Sequence, residues 1–222
     1  MNARTTILST IRQNLAGLVP SELPVILKSP QPFEISIKTL IERFALELNR
    51  VGGEIIQVKN HGESIGAISK SLIFANTHNV MVSGEQIFLD SHYVEQMKQA
   101  LPETDEVKLC SNESIAILPS VNASVISAWS LIAETGTAVF VSSIRQPRTL
   151  GLLPETVFIV ATTSQLVSDM EALMTQLRER KFVTETSCVT FVTGPSRTAD
   201  IEKILVKGVH GPRKVVVILV TD

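Results

Sequence analysis

At 222 residues the chain is long enough for one sizeable core, and its 44% hydrophobic content, 19% charged content and net charge of -2 exclude a disordered chain and a basic nucleic-acid binder. Two cysteines, Cys110 and Cys188, stand far apart without a C-x-x-C pair, which supports neither a disulfide framework nor a self-contained zinc or iron–sulfur site and fits a reducing cytosol.

The N-terminal MNARTTILSTIRQNLAGLVP is interrupted by Arg12 and Gln13, unlike a signal h-region, and no apolar run reaches transmembrane length. A cytoplasmic protein without membrane insertion is expected. Leu8, Ile11 and Leu15 fall at helical spacing until Gly17 and Pro20 break the pattern, and a proline-bearing segment follows. Residues 1–30 therefore read as a helical arm and connector, and 31–222 as the main domain. Ile37, Leu40, Ile41, Phe44 and Leu48 share one face of a helix that Ser36 caps and Gly52-Gly53 ends.

Short β-branched runs follow at 55–58, 79–82, 138–141, 157–160, 189–192 and 215–220, several of them continuous, as in strands buried on both faces. Helical patterns fall between many of these runs, at 62–74, 91–100, 111–118, 164–180 and 198–206. The alternation predicts an α/β fold, a three-layer α/β/α sandwich with a largely parallel sheet.

Ligands of open α/β sheets bind beyond the carboxyl ends of strands, which directs attention to three segments. In IAETGTAVF, Glu134 is a candidate catalytic carboxylate, and Gly136 between Thr135 and Thr137 suits close backbone approach to a ligand. A plain turn with Glu134 solvated or capping is the competing reading. In IRQPRTLGLLPE, Arg145 and Arg148 suit a carboxylate or phosphate, against a reading in which the leucines simply pack on the core.

In FVTGPSRTADIE, Gly194 permits a tight turn, Ser196 or Thr198 caps a helix, and Asp200 complements its dipole. The free N–H groups of that helix, with Ser196 and Arg197 beside them, would take a small carboxylate or phosphate. His210 and Arg213 of GVHGPRK would line the same cleft. The stretch matches neither the P-loop nor the dinucleotide fingerprint, and Asp200 competes for the same field. His61, His78 and His92 have no metal-ligand spacing, G-x-S-x-G is absent, and the lone Trp129 reads as core or cleft wall.

AETGT (133–137), RTLGLLPETVFIV (148–160), GPSRTADIE (194–202) and VKGVHGPRKVVVILV (206–220) together resemble the LUD-domain family, and within it the lactate-utilisation protein C branch. The resemblance implies a fold similar to the glucosamine-phosphate deaminase, ribose-phosphate isomerase and CoA-transferase group. It also implies a role in bacterial oxidation of L-lactate to pyruvate beside partner subunits that carry the iron–sulfur clusters, with no cofactor bound by this chain. Two departures stand out: Gly151 occupies a position where relatives usually have Ser, and VNASVISAWSLI (121–132) replaces the usual Gly- and Asp-containing lead into ETGT. The competing readings are a free-standing enzyme for a phosphorylated or CoA-linked metabolite, with Glu134 as nucleophile or base, and a non-catalytic assembly subunit.

Overall fold

The computed structural model describes residues 3–16, 35–75, 77, 79–90, 92–101, 106–111, 119–179, 188–201, 204–207 and 211–221. The chain divides into two compact units, Met1–Glu34 and Ile35–Asp222. In the first, helix α1 (Ala3–Leu15) carries the expected spacing of Leu8, Ile11 and Leu15 but buries none of its residues. The connector expected after it lies outside the described residues, as does the helix expected over 111–118 apart from Ser111.

The second unit opens with α2 (Ile37–Arg50). The Ser36 hydroxyl accepts from the Thr39 N–H, and Phe44 and Leu48 are buried on the inner stripe. The chain continues through β1 (Glu54–Val58), α3 (His61–Phe74), β2 (Asn79–Val82), α4 (Gln86–Asp90), α5 (Tyr93–Ala100), β3 (Glu106–Leu109) and β4 (Ala123–Ser127). It then runs through β5 (Ser130–Ile132), β6 (Thr137–Val141), β7 (Thr156–Thr162), β8 (Leu166–Val167), α6 (Met170–Glu179), β9 (Val189–Val192), β10 (Arg197–Ile201), β11 (Ile204–Lys207) and β12 (Lys214–Val220).

Six strands form a parallel sheet in the order β1-β12-β7-β4-β2-β3. Its central strands are continuous apolar runs because both faces are covered. Val215, Val217 and Leu219 of β12 pack on one face with Phe44 and Leu48 of α2, while Val216, Ile218 and Val220 pack on the other with Ile68 and Leu72 of α3 and Met97 of α5. The α/β class with a parallel sheet flanked by helices is thus the one expected from the strand–helix alternation.

Three local expectations are corrected. The runs at 138–141 and 189–192 are strands, but they join a separate four-stranded sheet, β8-β5-β6-β9, in which β6 is antiparallel to both β5 and β9. That sheet shares the α2 face of the parallel sheet and carries α6 on its far side through Ile132, Val139, Leu173 and Leu177. The helix expected over 164–180 begins only at Met170, because Gln165 closes a capping box with Thr162 and the chain then pairs as β8. The helix expected over 198–206 is instead a hairpin, β10 antiparallel to β11, with Arg197 opposite Lys207 and Thr198 opposite Val206.

Candidate functional site

Two of the family-like segments, ETGT and TGPSR, meet at the carboxyl end of α2. That helix closes with the Gly52 N–H on the Asn49 carbonyl (2.9 Å) and the Gly53 N–H on the Leu48 carbonyl (3.0 Å), a Schellman closure requiring the left-handed Gly52 (φ 85°). Two further left-handed glycines press against the same helix end. A Cβ on Gly136 (φ 61°) would stand 2.2 Å from the Leu48 nitrogen, and one on Gly194 (φ 75°) 2.7 Å from the Val51 Cγ2. A side chain at Gly52 would meet the Arg197 guanidinium at 2.7 Å. The glycines of ETGT and TGPSR are therefore needed for backbone packing on α2, a close approach whose partner is the protein itself.

Hydroxyls complete the join. Thr135 and Thr137 share a hydrogen bond of 2.7 Å, and Thr137 and Thr193 one of 2.8 Å, so a chain of three threonines ties the β5–β6 turn to the end of β9. The Ser196 N–H donates to the Pro212 carbonyl (2.8 Å), bringing the 193–197 turn against 211–213 as the sequence suggests. Arg213 lies 3.6 Å from Glu155 across an exposed surface. Glu134 is half-exposed, 3.9 Å from the Arg43 guanidinium of α2. Arg43 also acts on Asp169, whose side chain caps the start of α6. Asp169 is held below the usual carboxylate range chiefly by the bond from the Ala172 N–H, opposed by partial burial and reinforced by Ser168, the Glu171 backbone and Arg43.

This cluster precedes β1, β7 and β12 in the chain and so sits at the amino ends of the parallel strands, opposite to the end to which the rule for open sheets directs attention. No helix opens after Ser196, since Arg197 already belongs to β10, so the expected cradle of free helical N–H groups is replaced by a strand ladder. Arg197 is exposed beside Gly52. The side chain of Thr198 and the whole of His210 lie outside what the structure describes. Arg148 opens a 3-10 turn (Arg148–Gly151) with its side chain exposed. Gly151 of that turn packs on Phe140, whose Cζ would stand 2.4 Å from an added Cβ.

At the carboxyl ends, the strand order reverses between β2, whose chain continues outward to β3, and β4, whose chain returns toward β7. The crevice there is occupied by the loop 142–147. The Gly84 N–H donates to the Arg145 carbonyl (2.9 Å), and the Ser143 hydroxyl to the Glu85 carboxylate (2.7 Å). The buried Gln146 amide accepts from the Ser127 N–H (2.9 Å) and donates to the Ser127 carbonyl (3.0 Å), extending β4 as a further strand would. A Cβ on Gly84 would approach the Cys110 carbonyl to 2.8 Å. Ser83, Gly84 and Gln146 escape sequence reasoning because a Gln before Pro147 and a Ser-Gly after a strand have no periodic signature. Burial pushes the Cys110 thiol up, and it pushes the Tyr93 hydroxyl up against the opposing Ser64 hydrogen bond. Among the described residues no three His, Cys, Asp or Glu side chains gather to hold a metal ion, and no described helix is long and apolar enough to cross a membrane.

Residues 41–220 match the model of the LUD domain. The chain is similar to Lactate utilization protein C of Geobacillus thermodenitrificans, 38% identical over 112 residues that cover 50% of this chain and 47% of that protein. The protein of the same name from Bacillus subtilis gives the same figures, 38%, 50% and 47%. The uncharacterized protein YkgG of Escherichia coli is 30% identical over 146 residues, covering 65% of this chain and 63% of its own length. The chain thus spans about half the length of the first curated relatives it matches. The crystal structure of a DUF162 family protein from Deinococcus radiodurans superposes with a TM-score of 0.60 at 23% identity, over 84% of this chain and 99% of that one, a likeness of fold. With the family model covering most of its length, the chain belongs to the LUD-domain family.

Proposed function

We propose that the chain is a component of an L-lactate-oxidising system that yields pyruvate, serving as an accessory or ligand-binding subunit beside iron–sulfur partner proteins. The observation that carries this reading is the family match over 41–220, joined to relatives named for lactate utilization. The composition supports the division of labour, because two cysteines cannot supply the four thiolates of a typical cluster. Deleting the gene should abolish growth on L-lactate and spare growth on pyruvate. Unimpaired growth on L-lactate would overturn the reading.

A second reading, the assembly subunit, is favoured by the glycine packing, since the residues most typical of the family here stabilise the end of α2. The two readings separate on ligand binding. A subunit that takes a small carboxylate or phosphate near Glu134 and Arg197 should lose that binding on Glu134→Gln or Arg197→Ala. An assembly subunit should keep its complex intact through both substitutions.

A further inference from the structure

A groove of about 350 Å³ lies on the far side of the molecule's main sheet edge, between α4, α5 and β3, away from the family-like turns. Its volume reaches the lower range of small-molecule sites. Phe88 and Val94 are buried at its base, while Leu89 and Leu109 line it and remain partly exposed. An apolar portion of a ligand would therefore gain by covering two leucines that water now reaches.

The polar lining has a definite charge. Lys108 is paired with Glu106 on its own strand, whereas among the described residues Lys98 and Glu95 on α5 make no ion pair. With Lys98 and Glu95 both lining the groove, an anion of single charge meets less repulsion from Glu95 than a phosphate dianion would. His92 lines the groove in the left-handed conformation (φ 49°), the one non-glycine residue with positive φ among those described, and its side chain makes no capping bond to α5. A strained non-glycine backbone at the rim of a cavity is a recurring mark of a working site.

We propose that this groove binds a small amphipathic monocarboxylate, with its apolar portion against Leu89 and Leu109 and its carboxylate on Lys98. The site is separate from the segments discussed under the proposed function and stands whether or not that reading does. The test titrates the full chain with hexanoate, hexan-1-ol and hexyl phosphate while following amide shifts of His92, Glu95, Lys98 and Lys108 by NMR. Hexanoate should shift these amides saturably and bind more tightly than either analogue. Lys98→Met should weaken hexanoate about five-fold without moving hexan-1-ol, and Glu95→Gln should tighten hexanoate and narrow its lead over hexyl phosphate. Leu89→Gln should weaken hexanoate and hexan-1-ol together. Unsaturable shifts, equal binding of hexanoate and hexan-1-ol, or a Lys98→Met variant with unchanged hexanoate affinity would each overturn the assignment.

Discussion

Gly136 and Gly66 show how differently two glycines act. Gly136 is left-handed and has backbone of α2 where a side chain would begin, whereas a Cβ on Gly66, within α3, meets nothing within 4 Å. Gly136→Ala should therefore cost about 2 kcal/mol or more in urea unfolding, and Gly66→Ala should add about 0.5–1 kcal/mol. Close backbone approach at Gly136 was one of two readings the sequence offered, with a ligand as the expected partner and a plain turn as the alternative. Its actual partner was not legible, since Leu48 lies far upstream and no local pattern connects them. Gly151 behaves alike: Gly151→Ser should destabilise by pressing on the Phe140 ring, and Phe140→Leu in the same chain should recover part of the loss. Asp169 has a pH signature. With its folded value lowered, its contribution is present above the ordinary carboxylate value and is lost as pH falls through the lowered one. The stability difference between the native chain and Asp169→Asn should accordingly shrink on acidification, which acid-range thermal melts would read.

Among the elements, α2 was legible from end to end, because cap, apolar stripe and glycine stop agree. Ser36→Ala should cost about 1 kcal/mol through the loss of the bond to the Thr39 N–H, measured by denaturant unfolding. The hairpin β10–β11 was not legible as such. Ile201, Ile204 and Leu205 have helical spacing, yet Thr198, Ile201, Ile204 and Val206 are β-branched, and in so short a run strand pairing overrides the period. β5 and β8, of three and two residues, are too short to carry a period, so the sequence gives no sign of a second sheet and the runs at 138–141 and 189–192 read as strands of the first. The Gln146 amide ties the loop after β6 to the end of β4. Gln146→Ala leaves the Ser127 N–H and carbonyl without their partner and should cost about 1–3 kcal/mol, with faster amide exchange at Ser127.

For the whole molecule, the parallel sheet follows from alternating apolar runs and helical patterns, and its two faces are covered as that alternation requires. The location of the family-like turns does not follow, because which strand ends they reach depends on pairing order across the whole sheet. Once placed, those turns secure α2 against the start of β1 and β12, and the carboxyl-end crevice is filled by the loop 142–147. The proposed function assigns electron transfer to partner proteins and not to this chain. The most direct measurement is L-lactate-dependent reduction of a dye acceptor by the purified chain, alone and after reconstitution with the iron–sulfur partner proteins that the proposed function calls for. The account predicts negligible reduction by the chain alone and full activity only in the reconstituted system; a rate from the chain alone equal to that of the reconstituted system would contradict it.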